Sequence, residues 1–272
     1  MIPLHDHNPT SRTPYVTFVL IAINTAVMLW LATLSPVNQQ MAVLEHGFIP
    51  ARIAQLENHQ ALEVPLQEMV QVPDRFGRPS TAVRKVGSVT LSPSGMAIFG
   101  SILTTMFMHG GWMHLLGNMW FLWIFGNNVE DRLGHVLYLG FYLMGGLLAT
   151  ASHWAYDPGS TTPVVGASGA VSTILGAYAV TWPKATVTTL IFFGFITMVE
   201  IPALVWLGVW FGGQLLDAAV SRDLGVAVWA HIGGFIAGAI LMPLLSWGRQ
   251  PAPGQPHAPS DDSYSLRQEQ QW

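Results

Sequence analysis

From Tyr15 to Leu34 the chain is apolar and free of charge, matching the roughly 20 residues a helix needs to cross about 30 Å of hydrocarbon. The run is longer than the apolar stretch of a signal peptide and no small-residue cleavage site closes it, so it reads as a membrane span. A polar stretch follows over residues 35–95, scattered with Glu, Gln, Arg and Pro and without any run able to cross a membrane. Apolar segments return from Met96: Trp112 to Phe125, Val136 to Trp154, Ser168 to Trp182, Val187 to Leu216 and Val228 to Trp247. The Val187 to Leu216 stretch is too long for one helix and too short for two with a turn. Glu200-Ile201-Pro202 interrupts it, and proline suits a first helical turn, so the fifth span is expected to begin near Ile201 with Thr188 to Val199 at the interface.

The pattern predicts an all-α, polytopic membrane bundle of six transmembrane helices. Its expected parts are a cytoplasmic N-terminal segment (1–14), a first transmembrane helix (15–34), a polar extracytoplasmic insert (35–95), a membrane core (96–247) and a disordered cytoplasmic tail (248–272) rich in Pro, Gln and Ser. Composition agrees: 51% of the residues are hydrophobic and 10% charged, well below the roughly one-quarter charged residues of soluble domains. Arg12, Arg132, Lys184, Arg249 and Arg267 fall on one side of a six-span topology and, among short loops, Arg222 on the other. The positive-inside rule then puts the N-terminus inside, and a bacterial cytoplasmic membrane is the expected location. Trp112, Trp154, Trp182, Trp229 and Trp247 sit near span ends, where an interfacial aromatic belt would lie. The net charge of -4 and the absence of any basic block leave nucleic acid without a binding surface, and the absence of cysteine rules out disulfides, thiolate metal sites and a cysteine nucleophile.

Spans two, four and six run in the same direction, so their N-terminal ends share one side of the membrane. His114 and Asn118 open span two, Ser168 opens span four and His231 opens span six. Four polar side chains from three segments therefore converge on one level. Asn118 follows His114 by one helical turn, which suits two donors aimed at one oxygen. Span four is about fifteen residues, short of the roughly 20 needed, so its N-terminus is recessed. Val164-Val165-Gly166-Ala167 would then be non-helical backbone at membrane depth, tolerated only where protein buries it or a water-filled cavity meets it. Ser168, Ser172 and Gly176 form a small-residue stripe, as do His231, Gly234 and Gly238, and such stripes let helix backbones approach closely in lipid. Ser152, Ser172 and Thr173 are expected to hydrogen-bond their own helix backbones. His109 is expected to structure a loop, and His135 and His153 to lie at the interface.

His114-Leu-Leu-Gly-Asn118, Gly166-Ala-Ser168-Gly-Ala170 and Ala230-His231-Ile-Gly-Gly234 resemble the three motifs of the rhomboid intramembrane serine proteases, in order, spacing and span assignment, over roughly Leu103 to Met242. Gly-Phe-Ile-Pro at Gly47 and Glu130-Asp-Arg132-Leu-Gly also look family-like. The resemblance implies that the 96–247 core is catalytic, with Ser168 as nucleophile, His231 as base and His114 and Asn118 as oxyanion partners. It implies single-span membrane proteins as substrates, cleaved near the outer leaflet, in contact with membrane lipid and with neither metal nor cofactor. Some members place an aromatic four residues after the serine, stacked on the histidine, whereas this chain has Ser172. The resemblance therefore leaves the orientation of His231 unaccounted for.

The residue types suit the chemistry independently. A serine hydroxyl becomes a useful nucleophile when a base takes its proton, and an imidazole can do so and pass the proton to the leaving amine. A Ser-His dyad suffices in principle, and no carboxylate is convincingly placed as a third member: Asp217 lies at the outer end of span five, and Glu200 is on the wrong side. Two rivals use the same residues differently. A catalytically silent relative would bind membrane helices with the same fold, against which the intact Ser168 and His231 argue. A proton-coupled transporter could use intramembrane His and Asn as a relay, but the bundle lacks a deep paired acid and a clear internal repeat.

Overall fold

The structure is a computed structural model that describes residues 1–73, 75–76, 78–192, 196–220 and 227–248. The tail expected to be disordered lies, from residue 249 onward, outside the described residues. In chain order the elements are β1 (Ile2–Asp6), α1 (Tyr15–Ala32), α2 (Pro36–His46), α3 (Gln55–Asn58), β2 (Leu62–Pro73), β3 (Pro79–Leu91), α4 (Gly95–Thr104), α5 (Trp112–Leu133), α6 (His135–Tyr156), α7 (Ser168–Thr181), β4 (Thr186–Phe192), β5 (Ile196–Pro202), α8 (Ala203–Val220) and α9 (Val228–Ser246). Among the described residues four helices, α1, α6, α8 and α9, are long and apolar enough to cross a membrane. Helix α5 is also long but ends on Glu130-Asp131-Arg132, and α7 has only 14 residues.

Helix α7 is the centre of the bundle, buried continuously from Gly169 to Ala179 and packed against α5, α6, α8 and α9. Its approach to α9 is governed by backbone. A Cβ added at Gly238 would lie 1.8 Å from the Thr173 carbonyl oxygen, one at Gly176 would lie 1.9 Å from that of Phe235, and one at Gly234 would lie 2.3 Å from that of Gly169. The two expected small-residue stripes thus face each other. Ser172 Oγ donates to the Ser168 carbonyl at 2.7 Å and Thr173 Oγ1 to the Gly169 carbonyl at 3.1 Å, so both hydroxyls serve their own helix. Ser152 instead lies against Gly233 of α9, where a Cβ would sit 2.3 Å from the serine Cβ.

Strands correct the all-α expectation. β4 and β5 form a hairpin, and β1 adds to β4 with Ile2 opposite Leu190 and Asp6 opposite Val187. Val187, Thr188, Thr189, Ile191, Ile196, Thr197 and Val199 are β-branched, and exposure alternates along β5, so the stretch fits a half-buried pleated surface rather than an interfacial helix. Helix α8, where the fifth span was expected near Ile201, accordingly begins at Ala203, directly after Pro202. Within the 35–95 insert, β2 and β3 pair as a second hairpin that buries Val64, Leu66 and Leu91 against Leu44 of α2 and Ile49.

Carboxylates anchor the end of the bundle away from Ser168. Glu130 accepts from the N–H groups of Val16 (2.9 Å) and Thr17 (2.8 Å), and Asp131 accepts from those of Ser11 (3.1 Å) and Arg12 (3.0 Å). No side chain at Pro14 caps α1, so α5 supplies the acceptors that the free N–H groups of α1 require. His135 Nδ1 bonds Glu130 Oε1 at 2.6 Å, which ties this residue to the network rather than leaving it at an interface. Asp6 Oδ2 accepts from Asn128 Nδ2 and from the Tyr178 hydroxyl, each at 2.7 Å, and so fixes β1 to α5 and α7.

The glycine contacts yield a direct test. Gly238→Ala must separate α7 from α9 and should lower stability in detergent by about 1–3 kcal/mol, the usual cost of overpacking. Gly212→Ala, where nothing lies within 4 Å of an added Cβ, should leave the melting temperature unchanged or slightly raised. Equal melting temperatures for the two variants would show that the α7–α9 approach is not closely packed.

Candidate active site

The segment before Ser168 is built by residues far away in sequence. Phe48 pairs with Val164 as an isolated antiparallel bridge, with Phe48 N–H to the Val164 carbonyl at 3.2 Å and Val164 N–H to the Phe48 carbonyl at 2.7 Å. The Thr105 hydroxyl also donates to the Val164 carbonyl, and the Gly166 N–H donates to the Thr105 carbonyl at 2.9 Å. The Ala167 N–H meets His109 Nε2 in a long 3.5 Å contact. Non-helical backbone beside the bundle is thereby satisfied by protein, which is the condition hydrocarbon imposes. His109 is a loop-structuring residue, as expected, and Gly-Phe-Ile-Pro acts as the strap that holds the loop.

Gly166 has φ of +131°, a conformation that L side chains rarely adopt, and a Cβ there would lie 2.8 Å from His114 Cε1, 2.9 Å from His114 Nε2 and 3.4 Å from Ser168 Oγ. Glycine at this position therefore lets the His114 ring and the Ser168 hydroxyl approach the same point. Ser168 is the first residue of α7, and no side chain caps that helix, so its leading N–H groups carry the positive end of the helix dipole.

The structure brings all four expected residues to one cavity of about 660 Å³, lined by His114 and Asn118 from α5, Ser168 from α7 and His231 from α9. Ser168 and His231 are half-buried, His114 is exposed, and Asn118 is buried. Asn118 Nδ2 donates to the His114 carbonyl at 3.1 Å, which occupies one of its two N–H bonds. Among the described residues no hydrogen bond joins Ser168 Oγ to His231. His231 Nδ1 instead meets Gln214 Oε1 of α8 at 2.6 Å, and the Trp210 ring stands 6.2 Å away at 37°.

Gln214 and His153 also line the cavity, and neither was expected there. Gln214 had a signal, being with Asp217 one of only two polar residues in α8. The contact of Ser152 with Gly233 brings the end of α6, with His153, against the start of α9. Among the described residues no three His, Asp or Glu side chains gather where they could hold a metal ion.

The Rhomboid domain family model matches residues 99–248, more than half of the chain. The chain belongs to the rhomboid family. Presenilin-associated rhomboid-like protein A, mitochondrial, of Danio rerio is 28% identical over 159 residues, covering 55% of this chain and 38% of the relative. The human presenilin-associated rhomboid-like protein, mitochondrial, is 26% identical over 170 residues, covering 59% of this chain and 41% of the relative. RHOMBOID-like protein 12, mitochondrial, of Arabidopsis thaliana is 30% identical over 166 residues, covering 55% of this chain and 47% of the relative. The chain thus spans less than half the length of these curated relatives. Their names correct the expected location. These relatives are named as mitochondrial, and a further one as chloroplastic, which overturns the expected bacterial cytoplasmic membrane, while a multi-pass membrane protein remains consistent with them.

The strap carries the prediction of this geometry. Thr105→Val keeps the shape but removes the hydroxyl that donates to Val164 and accepts the Phe48 N–H at 3.3 Å. The Phe48–Val164 backbone bonds remain, so the cost is that of a typical hydrogen bond, about 0.5–1.5 kcal/mol. Hydrogen exchange should rise at Phe48, Val164 and Gly166 more than at α6, and uniform exchange across the bundle would show that the loop does not depend on this hydroxyl.

Proposed function

We propose that this rhomboid is an intramembrane serine endopeptidase, with Ser168 as nucleophile and His231 as general base. The observation that carries the reading is the convergence of Ser168, His231, His114 and Asn118 on one cavity at the uncapped end of a helix too short to span the bilayer. The cavity gives water, the second substrate of hydrolysis, a place beside the serine.

In the proposed reaction His231 takes the Ser168 proton as Oγ attacks the scissile carbonyl, forming a tetrahedral oxyanion. The Ser168 N–H at the α7 terminus, His114 and the free N–H of Asn118 stabilise that oxyanion. Protonated His231 then gives its proton to the leaving amine. Water repeats the sequence on the acyl-enzyme and frees Ser168. Ser168 and His231 must close to hydrogen-bond distance for the first step, a tightening that active sites commonly undergo on binding substrate.

The proposed substrates are single-span membrane proteins that reach the cavity from the lipid. The proposed topology adds α5 and α7 to the four long apolar helices, making six spans, with the 35–95 segment and the Ser168 cavity on the side opposite the termini. The membrane, following the relatives' names, is organellar.

A fluorophosphonate probe tests activation without knowledge of the substrate, because an activated serine attacks phosphorus as it would a carbonyl. Wild-type protein should be labelled at Ser168, and Ser168→Ala and His231→Ala should both abolish labelling. Asn118→Ala should lower turnover by about 100- to 1000-fold while retaining some labelling, since it removes one oxyanion donor and leaves the nucleophile intact. A silent relative would show no labelling in any form. Independently, reporters fused at Met1 and Trp272 should read the same side of the membrane, and opposite sides would exclude six spans.

A further inference from the structure

The protease reading leaves one requirement open. A histidine that takes a proton through one ring nitrogen must be held by the other, both to fix its tautomer and to aim the ring. Ser172, one turn after Ser168, cannot stack on the imidazole, and its hydroxyl is already committed to the Ser168 carbonyl. Among the described residues no carboxylate hydrogen-bonds or ion-pairs with His231. Around it in the cavity are His114 and Asn118 from α5, His153 from α6, Asp157 just after α6, Ser168 and Ser172 from α7, and Gln214 and Trp210 from α8.

We infer that Gln214 is the positioning residue of His231, holding the imidazole in the tautomer that leaves Nε2 free to take the Ser168 proton. The assignment rests on the protease reading and extends it to a third helix. An amide oxygen can only accept, so the 2.6 Å contact between Gln214 Oε1 and His231 Nδ1 places the imidazole proton on Nδ1. The lone pair is then on Nε2, the one nitrogen left for the serine. Trp210 lies one helical turn before Gln214 on the same face of α8, and its ring stands beside the imidazole. One face of α8 therefore touches His231 twice, once by hydrogen bond and once by ring contact.

A neutral partner suits the place. A carboxylate facing His231 would have to be stripped of water, a cost of several kcal/mol unless the charge is well paired. While His231 is neutral, as a base must be, such a charge would have no counterion. Gln214 supplies direction without charge. The opposite amide orientation would aim the Gln214 N–H at Nδ1, put the imidazole proton on Nε2 and disable the base, so the tautomer itself decides the assignment.

The full chain, purified in detergent, permits the test with Gln214→Leu, which removes the acceptor at similar size, and Gln214→Glu, which retains an acceptor oxygen. Per folded molecule, Gln214→Leu should lower kcat on a single-span test substrate by about 10- to 100-fold with KM nearly unchanged, a part of the 100- to 10,000-fold that acid-base catalysis contributes. Gln214→Glu, whose oxygen still accepts from Nδ1, should recover most of that loss in kcat per folded molecule while lowering the melting temperature through the desolvation of its charge, and fluorophosphonate labelling of Ser168 should follow the order of kcat. Nitrogen-15 NMR of labelled histidine, read without substrate, should place the proton of neutral His231 on Nδ1 in the wild type and show a mixture of the Nδ1–H and Nε2–H tautomers in Gln214→Leu. A folded Gln214→Leu protein with wild-type kcat, even one with a lowered melting temperature, would make Gln214 a helix bridge and overturn the assignment. A wild-type proton on Nε2 would overturn it equally. Both outcomes leave the protease reading standing when the wild type still labels at Ser168, whereas a wild type that neither labels nor cleaves overturns that reading and this assignment with it.

Discussion

The contact on which the site depends is between backbones: glycines of α7 and α9 lie against each other's carbonyls, so closely that an added Cβ at Gly238 would stand 1.8 Å from the Thr173 oxygen. In lipid the tails are as apolar as the side chains, and helix association relies on packing and polar contacts. Close backbone approach supplies that packing, and it fixes the start of α9, with His231, beside the start of α7, with Ser168. It also sets the depth of the site. Helix α7 has 14 residues and is buried nearly all round, so its first residue cannot reach the surface on its own length. The chain before Ser168 must then run in non-helical conformation against the bundle, and its N–H and carbonyl groups need partners there. Phe48, Thr105 and His109 supply them. Gly-Phe-Ile-Pro, some 120 residues before the serine, belongs to the site for that reason.

The two ends of α7 differ in chemistry as much as in shape. Tyr178, ten residues beyond Ser168 and so about 15 Å along the helix, donates to Asp6. Burial pushes the Asp6 carboxyl above its usual range, and the hydrogen bonds from Tyr178 and Asn128 pull it partly back. Glu130 and Asp131 hold the entry to α1 through four backbone N–H groups. Glu130 meets the N–H groups of Val16 and Thr17 in the first turn of α1, where the dipole of that helix favours negative charge. The residues nearest His231 on α5, α6, α7 and α8 are by contrast His, Ser, Gln and Trp.

What the sequence made legible follows the same division. Ser168, His231, His114 and Asn118 stand in three short motifs with helical spacing, and the recessed start of α7 followed from its length against the bilayer. The stripes at Gly176, Gly234 and Gly238 were readable because close approach in lipid leaves few residues to choose from. The β4–β5 hairpin was not read, since its apolar run looks like half a span and only its β-branched content separates the two, a weak signal without a known partner strand. The N-terminal residues looked free because the pairing of Ile2 with Leu190 joins positions nearly two hundred apart. Gln214 escaped for a different reason: a lone amide in an apolar helix has many uses, and only its facing His231 of α9 selects one.

That division of labour gives His231 two supports of unequal stiffness. Its backbone position is set by α9 against α7, where glycine and carbonyl leave no space to slide. Its ring is aimed from α8, whose buried residues are Ala203, Trp206 and Leu207, all near its start. Helix α8 is the least enclosed of the four long apolar helices, with Leu204, Val205, Val209, Leu215 and Leu216 all exposed. A hydrogen bond weakens steeply beyond about 3.2 Å between heavy atoms, so a shift of α8 by less than an ångström releases Nδ1 while the α7–α9 contact stays closed. The imidazole would then keep its place and lose its aim, and the rigid interface that assembles Ser168 with His231 is separate from the softer one that orients the ring.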